Sequence, residues 1–172
     1  LLYCSMFPPG YPVRRESLVR MWTAEGFVSQ EEVAEGFFDL LVSRNMLEPL
    51  IVYDEKNTYN VHPLMQRFLV CKAKEDNFVA CRQYDGPNGS WHAKQIRRLF
   101  LHFFDCCPDE DLSHIRSLVV YGKPKMDGVP LDKFVNLRVL EIIICDGGQS
   151  FDNHLVDDIC GLMRLKYLGH TG

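Results

Sequence analysis

The sequence lacks long hydrophobic runs and an excess of basic residues, and each absence excludes a class of protein. No apolar run approaches the ~20 residues that a transmembrane helix needs, so the sequence predicts no transmembrane segment. With 19 basic and 23 acidic residues, the formal net charge is −4. A protein that binds the phosphate backbone of nucleic acid carries a basic excess. The composition therefore argues against nucleic acid as the partner of this chain.

A phosphate-binding loop and a catalytic constellation are also missing from the sequence. Nothing matches G-x-x-x-x-G-K-[ST], the loop whose amides and lysine hold nucleotide phosphates. No Ser-His-Asp arrangement and no pair of carboxylates stands out as a candidate catalytic site. We therefore predict that this chain is not an enzyme and that, by itself, it neither binds nucleotide tightly nor hydrolyses it.

Cysteine is present as an odd and irregular set of seven residues. Such a set fits free thiols in a reducing compartment better than a disulfide framework, which favours the cytosol. The cysteine pair Cys106 and Cys107 lies between two histidines. The resulting spacing from His102 to His114, H-x₃-C-C-x₆-H, matches no common zinc pattern. We therefore predict packed thiols here, with neither a metal site nor a catalytic nucleophile.

The two ends of the chain resemble the interior of a longer sequence. The start at 1–4 has neither an initiator methionine nor the basic region of a signal peptide. The end at 170–172 follows no closing element. We expect a piece of a longer protein, and a truncated gene product is the alternative.

The first segment of the chain predicts a turn followed by an amphipathic helix. An aromatic-proline turn precedes a helix from about Arg14 to Glu25, with Leu18 and Trp22 on its apolar face. Trp22 is predicted to anchor the core. Gly26 is a plausible left-handed terminator of the helix.

A second helix is predicted to begin at Ser29. The run Ser29-Gln30-Glu31-Glu32 has the pattern of a capping box, in which the serine and the glutamate satisfy each other's backbone amides. Apolar residues then recur at helical spacing, which predicts that they face the core. They are Val33, Phe37, Leu40 and Leu41.

A β-hairpin and a third helix follow. A strand at 46–53, a polar turn at 54–57 and a return strand at 58–61 predict a hairpin of the kind called a wing. His62 and Pro63 then open a helix, since proline suits the first helical position. The predicted buried stripe of that helix is Leu64, Met65, Phe68, Leu69 and Ala73. Helices followed by a hairpin predict a winged-helix domain.

The pattern changes after the turn-rich segment at 86–94. Segments of the form apolar-basic-x-apolar recur with starts 19, 22 and 28 residues apart, near the ~20–29 residues of leucine-rich repeats. They are Ile96-Arg97-Arg98-Leu99, Ile115-Arg116-Ser117-Leu118, Leu137-Arg138-Val139-Leu140 and Leu165-Lys166-Tyr167-Leu168. The third copy fits L-x-x-L-x-L-x-x-N/C at every fixed position, through Leu137, Leu140, Ile142 and Cys145.

These patterns together predict an α+β chain. A helical winged-helix domain with a β-hairpin wing is expected at 1–85 and a linker at 86–94. The start of a leucine-rich-repeat solenoid is expected at 95–172. Repeat proteins of this kind present a concave strand face that suits protein recognition.

Several ordered segments resemble the winged-helix part of the nucleotide-binding (NB-ARC) region of plant NB-LRR disease-resistance proteins. They are the run 1–28 that ends in W-T-A-E-G-F-V, Glu31–Leu41 against E-x-V-A-E-x-Y-F-x-x-L, Ser43–Leu47 against S-R-N/S-L-L, and Val61–Met65 against M/V-H-D-L-M. The resemblance implies an intracellular immune receptor whose upstream nucleotide-binding domain exchanges ADP for ATP on activation. It also implies that the repeats sense a pathogen effector or a guarded host protein.

The resemblance assigns one binding residue, His62. The histidine of the family signature contacts the nucleotide phosphates, so His62 is implied to face ADP or ATP in the full-length protein, through contact with an upstream domain. Taken from the residues alone, a helix-capping or core histidine is favoured over a ligand contact at His62. The signature's Asp is Pro63 here, and proline supplies neither a carboxylate nor an amide hydrogen. No catalytic residue, no metal ligand and no cofactor of this chain alone is implied.

The sequence leaves two alternative functions open. A DNA-binding winged helix could use Arg14, Arg15 and Arg20, although the acidic balance opposes it. A truncated receptor without the nucleotide switch is the other alternative. The resemblance implies a cytoplasmic protein, with a membrane-peripheral or nuclear location as variants for the full-length receptor.

Overall fold

The chain folds into two compact units. A computed structural model describes residues 1–50, 57–81, 96–102, 111–122, 129–144 and 153–171. The units are Leu1–Asp76 and Asn77–Gly172. The division precedes the predicted boundary at residue 85, because a strand at Ala80–Cys81 already pairs within the second unit. Across these described ranges, no helix has the length and apolar character needed to cross a membrane.

The first unit combines helices with a small antiparallel sheet. Its elements are a 3-10 helix η1 (Leu2–Met6), β1 (Val13–Arg14), α1 (Arg15–Glu25), α2 (Glu31–Ser43), β2 (Leu47–Pro49), β3 (Thr58–Val61) and α3 (Pro63–Glu75). The strands lie in the order β1-β3-β2. The antiparallel pairing of β2 with β3 confirms the predicted hairpin, although β2 is shorter than the predicted strand. Residues 51–56 of the predicted wing lie outside the described ranges. Strand β1 was not predicted, because two residues are too short to show alternation.

Helix α1 ends at a backbone position that only glycine adopts easily. Gly26 has φ 88° and ψ 24°, which is the left-handed region. Its amide donates to the carbonyls of Trp22 and Thr23, and the Phe27 amide donates to the Trp22 carbonyl. These bonds satisfy carbonyls that the helix end leaves open. Within α1, Leu18 and Trp22 are buried on the inner face.

The start of α2 differs from the predicted capping box. The helix begins at Glu31 and its N-cap is Gln30, whose side chain makes no capping hydrogen bond. The predicted box at Ser29 is therefore wrong. The Ala34 amide instead bonds the Gln30 carbonyl, so the helix starts on backbone bonding and on the glutamates of its first turn.

The buried face of α2 is also not the predicted one. Ala34 and Phe38 are buried, whereas three residues predicted to face the core are exposed, namely Val33, Phe37 and Leu40. Phe38 meets Tyr59 of β3 edge to face at 4.8 Å between ring centroids. The Arg15 guanidinium lies over the Phe38 ring, 5.1 Å from its centroid. The helix carries two neighbouring apolar stripes, and contact with β3 and α1 selects the one that contains Phe38.

Helix α3 buries a polar residue in place of predicted apolar ones. Pro63 occupies the first helical turn, as the sequence indicated. Leu64 and Phe68 are 70% and 60% exposed, so their predicted burial is wrong. The buried residues are Gln66, Leu69 and Ala73. Their spacing of three and four defines one helical face, and this helix packs on η1.

The second unit is built on a parallel sheet whose strands follow chain order. In the described residues its elements are β4 (Ala80–Cys81), β5 (Arg98–His102), β6 (Ser117–Gly122), a 3-10 helix η2 (Leu131–Lys133), β7 (Val139–Ile144), α4 (Asn153–Cys160) and β8 (Tyr167–Thr171). The order is β4-β5-β6-β7-β8, and every neighbouring pair is parallel. Each strand thus joins the sheet beside its predecessor.

The four apolar-basic-x-apolar segments occupy equivalent places in this sheet. Cα pairing aligns Leu99 with Leu118, Leu118 with Leu140, and Leu140 with Leu168. The same register holds two residues later, through Leu101, Val120 and Ile142. Alternate residues of a strand share one face, so the side chains from β5, β6 and β7 enter one core, whereas Leu168 of β8 is 48% exposed. Residues from the connections complete this core, namely Leu112, Ile115, Leu131, Phe134, Leu137, Leu155 and Leu162. Cys145 lies outside the described residues.

Candidate functional site

His62 caps α3. It is the N-cap residue, and its Nδ1 accepts a hydrogen bond of 3.2 Å from the Leu64 amide. Because Nδ1 accepts, the neutral imidazole carries its proton on Nε2. The side chain is half-buried, at the positive end of a 13-residue helix. His62 therefore caps α3 through Nδ1, and its Nε2–H is left as a donor at the helix start.

Pro63 removes one donor from the same helix end. Proline has no amide hydrogen and no carboxylate, so the first turn offers less hydrogen bonding than the signature Asp would. The Leu64 amide bonds the His62 ring and the Gln66 amide bonds the His62 carbonyl at 2.9 Å.

Gln66 fastens α3 to the N-terminal turn. It is 4% exposed, and its Nε2 donates to the carbonyls of Phe7 at 2.9 Å and Cys4 at 3.4 Å. These bonds hold the aromatic-proline turn against the helix that begins at His62. Sequence reasoning missed this residue because a glutamine in an amphipathic helix normally predicts exposure. The signal available was its spacing of three and seven from Leu69 and Ala73.

Cys4 is a second buried polar group at this junction. Its thiol is fully buried and makes no disulfide, and burial raises its pKa to about 11. A thiol with that pKa stays protonated at neutral pH and is a poor nucleophile. Cys4 is therefore a core residue, in keeping with the prediction of free thiols.

The arginines considered for DNA binding are not all presented to solvent. The Arg15 guanidinium donates to the Asp39 carboxylate, and this hydrogen bond raises the pKa of Arg15 and lowers that of Asp39. Arg15 also covers Phe38, so it links α1 to α2. Arg14 and Arg20 are exposed. The helix surface thus lacks the three-arginine cluster that the DNA-binding alternative requires.

The second sheet presents a face opposite its aliphatic core. The register brings Phe100, Val119, Glu141 and Gly169 into one row across β5 to β8. A neighbouring row contains His102 and Tyr121, whose ring centroids are 5.6 Å apart. Phe100, Val119 and Glu141 are buried, whereas His102, Tyr121 and Tyr167 are half-buried. This strand face therefore combines aromatic and polar side chains.

Glu141 is fixed at the centre of the strand face. It is 2% exposed, and the Tyr167 hydroxyl donates to its Oε2 at 3.0 Å. Gly169 leaves room for this carboxylate, because a Cβ at that position would collide with Glu141 Oε2. Close approach of a side chain, and not backbone conformation, favours glycine at position 169.

The structure separates the two histidines that flank the cysteine pair. His102 ends β5 beside Tyr121, whereas His114 precedes β6 at the opposite end of the sheet. Four residues of a strand extend about 13 Å, so these two imidazoles cannot bind one metal ion. Cys106 and Cys107 lie outside the described residues, and the predictions for them remain predictions.

Comparison with known proteins identifies the first unit. The family described as "Disease resistance protein Winged helix domain" matches residues 6–69. The whole chain aligns at 40% identity with Disease resistance protein Pik-1 of Oryza sativa subsp. japonica, and at 36% identity with Disease resistance protein RGA4 of the same organism. Disease resistance protein Pik-2, also from rice, is 29% identical over 98% of the chain.

The chain covers a small part of each relative, namely 16% of Pik-1, 18% of RGA4 and 17% of Pik-2. The match to the family covers α1, α2, the hairpin and the first half of α3, which confirms the predicted winged-helix domain and the α+β class. The chain belongs to the plant disease-resistance proteins, and residues 6–69 carry the winged-helix domain of that family.

Proposed function

We propose that this chain is the regulatory and protein-interaction segment of an intracellular plant immune receptor. In this role the winged-helix domain responds to ADP or ATP held by an upstream domain, and the second unit begins a leucine-rich-repeat solenoid. The observation that carries the proposal is the direct succession of a resistance-protein winged helix and a parallel, in-register strand array. The segment itself is regulatory and performs no catalysis.

The solenoid assignment rests on the register of the second sheet. A repeat solenoid stacks one strand per repeat, and each repeat contacts its neighbours. The leucine column from Leu99 to Leu140 and its aliphatic neighbours supply the inward positions of such a repeat, and Leu168 continues the register on β8. The lengths between segment starts, 19, 22 and 28 residues, suit leucine-rich repeats.

The recognition role rests on the strand face. Half-buried aromatic groups at Tyr121 and Tyr167 and the imidazole of His102 provide a mixed apolar and polar surface. Aromatic residues of this kind are enriched at the centres of protein interfaces. We propose that this face contributes to contact with a pathogen effector or a guarded host protein, in a cytoplasmic receptor.

The nucleotide role rests on His62. The Nε2–H left by the capping bond is a suitable donor to a phosphate oxygen, and the helix start adds favourable potential. The test uses the protein that the complete transcript encodes, purified as wild type and as His62→Ala and His62→Asn. ADP that copurifies is measured by chromatography after denaturation. We expect ADP in the wild type and about a tenfold lower ADP affinity in both variants, since a hydrogen bond to a charged group contributes about 1.5–3 kcal/mol.

The two variants separate phosphate contact from helix capping. Asparagine is a good N-cap, and its substitution for His62 should keep α3 stable, whereas alanine removes the cap at a cost of about 1 kcal/mol. His154→Ala, an exposed histidine of α4, is the matched control. If His62→Asn keeps wild-type ADP while His62→Ala loses it, His62 is a capping residue and the nucleotide role is refuted.

A further inference from the structure

The second unit contains a pocket lined almost entirely by basic side chains. Its volume is about 190 Å³, and it lies where the connections enter strands β5 to β8. The lining residues are Arg97, His114, Arg116, Asn136, Arg138 and Arg164. Among the residues that the structure describes, no acidic side chain lines it. The pocket is distinct from His62, which lies in the first unit.

The backbone ladder brings the arginines together. The Arg116 amide donates to the Arg97 carbonyl at 2.7 Å, and the Arg138 amide donates to the Arg116 carbonyl at 2.7 Å. Neighbouring strands are about 4.8 Å apart, so three guanidinium-bearing residues follow one another on successive rungs of a rigid sheet. The basic residues of the apolar-basic-x-apolar segments therefore form a column of positive charge at the end of the sheet where these strands begin.

A second column forms the other wall of the pocket. His114, Asn136 and Arg164 each precede a repeated segment, at the same distance from it. The Asn136 Nδ2 donates to the Ser113 carbonyl at 2.6 Å, which joins two adjacent connections. The Nε2 of His114 is buried and makes no hydrogen bond within the described part of the chain. The wall thus offers a polar atom that protein groups leave unsatisfied.

The charge density of the pocket favours phosphate groups over carboxylates. Four arginines remain protonated at all physiological pH values. A carboxylate supplies one negative charge, whereas a phosphate group supplies about 1.5–2 at pH 7. Guanidinium groups bind phosphate oxygens in pairs, so several linked phosphates within about 190 Å³ can contact the arginines that line the pocket. We propose that the arginine pocket is a binding site for a compact oligophosphate anion.

The test measures binding of inorganic triphosphate to the purified 172-residue chain by calorimetry. We expect triphosphate to bind at least tenfold more tightly than orthophosphate at matched ionic strength. Arg97→Gln and Arg164→Gln should each weaken triphosphate binding about tenfold. Both side chains are exposed, so these variants should keep the fold. Arg20→Gln removes the same charge from an exposed position of α1 and should leave binding unchanged.

Two further arms identify the source of the phosphate. Vesicles of phosphatidylcholine with phosphatidic acid test a lipid headgroup, and vesicles of phosphatidylcholine alone are the control. Binding to the acidic vesicles that triphosphate displaces would assign the same site to a lipid phosphate, whereas triphosphate binding without vesicle binding would indicate a free anion. Failure to bind triphosphate, equal weakening by Arg20→Gln, or tighter binding of a glutamate-rich peptide would overturn the proposal.

Discussion

Replacing Leu140 by alanine should loosen the second unit far more than the same change at Leu168. The two leucines occupy the same column of the parallel sheet, on β7 and β8. Leu140 is fully buried with a strand on each side, whereas Leu168 is 48% exposed on the last strand. The two substitutions therefore compare the same change on an internal strand and on the last strand of one sheet.

The expected magnitudes follow from burial. Truncation of a fully buried leucine costs about 2.7–5 kcal/mol, because transfer energy is lost and a cavity remains. At Leu140 we expect about 3 kcal/mol. At Leu168 nearly half of the side chain already meets water and the site is open, so the loss should be about 1 kcal/mol.

Native-state hydrogen exchange with mass spectrometry reads these changes by segment. Leu140→Ala should raise exchange of the β6 and β7 amides about 100-fold, which corresponds to about 3 kcal/mol. Amides of α1 to α3 belong to the other unit and serve as an internal reference. Equal effects of Leu140→Ala and Leu168→Ala on the β7 amides would refute the stacked register.

Three further predictions concern glycine and cysteine residues. Gly26→Ala should destabilise the first unit by about 1–2 kcal/mol, because alanine is strained at φ 88°. Gly36→Ala lies in an open part of α2 and should stabilise the first unit by about 0.5–1 kcal/mol. Urea denaturation measures both changes, and a loss of stability at both sites would contradict this prediction. A thiol reagent should label exposed Cys71 and Cys160 at once, and buried Cys4 only after unfolding. Because its folded pKa of about 11 exceeds the unfolded value, the Cys4 thiol contributes stability that is complete below about pH 9 and is lost as the pH rises toward 11. Between pH 9 and pH 11, the free energy of unfolding of Cys4→Ala should therefore fall by about 2 kcal/mol less than that of the wild type. Parallel plots of this free energy against pH for the two proteins would exclude the effect.

The order of elements could be predicted from the sequence because each has a local cause. Gly26 marks the end of α1 through its left-handed conformation, and Pro63 marks the start of α3 through its fixed φ. The repeated apolar-basic-x-apolar segments indicated the recurring strands of the second unit. These signals lie within a few residues of the feature that they predict.

The buried faces of α2 and α3 could not be predicted in the same way. Apolar residues surround much of each helix, and contacts with distant elements select which are buried. Phe38 is buried against Tyr59, and Gln66 is buried because the Phe7 carbonyl needs a donor. Neither partner lies near in sequence, so helical periodicity instead favoured Phe37 and Phe68, which are exposed.

The candidate sites show the same division between local and distant causes. The sequence indicated His62 by its neighbours, but its capping bond to Leu64 depends on the start of the helix. The arginine pocket depends on the sheet register. Backbone bonds through Arg116 link Arg97 to Arg138, although the two lie 41 positions apart in the sequence. Residue type alone did not indicate that these charges converge.

The most direct test of the proposed receptor role is to read the transcript that encodes this chain, upstream of Leu1. We predict an in-frame G-x-x-x-x-G-K-[ST] loop, because a winged-helix domain that responds to nucleotide requires a domain that holds the phosphates. A start codon just before Leu1, with no such loop upstream, would contradict the nucleotide switch.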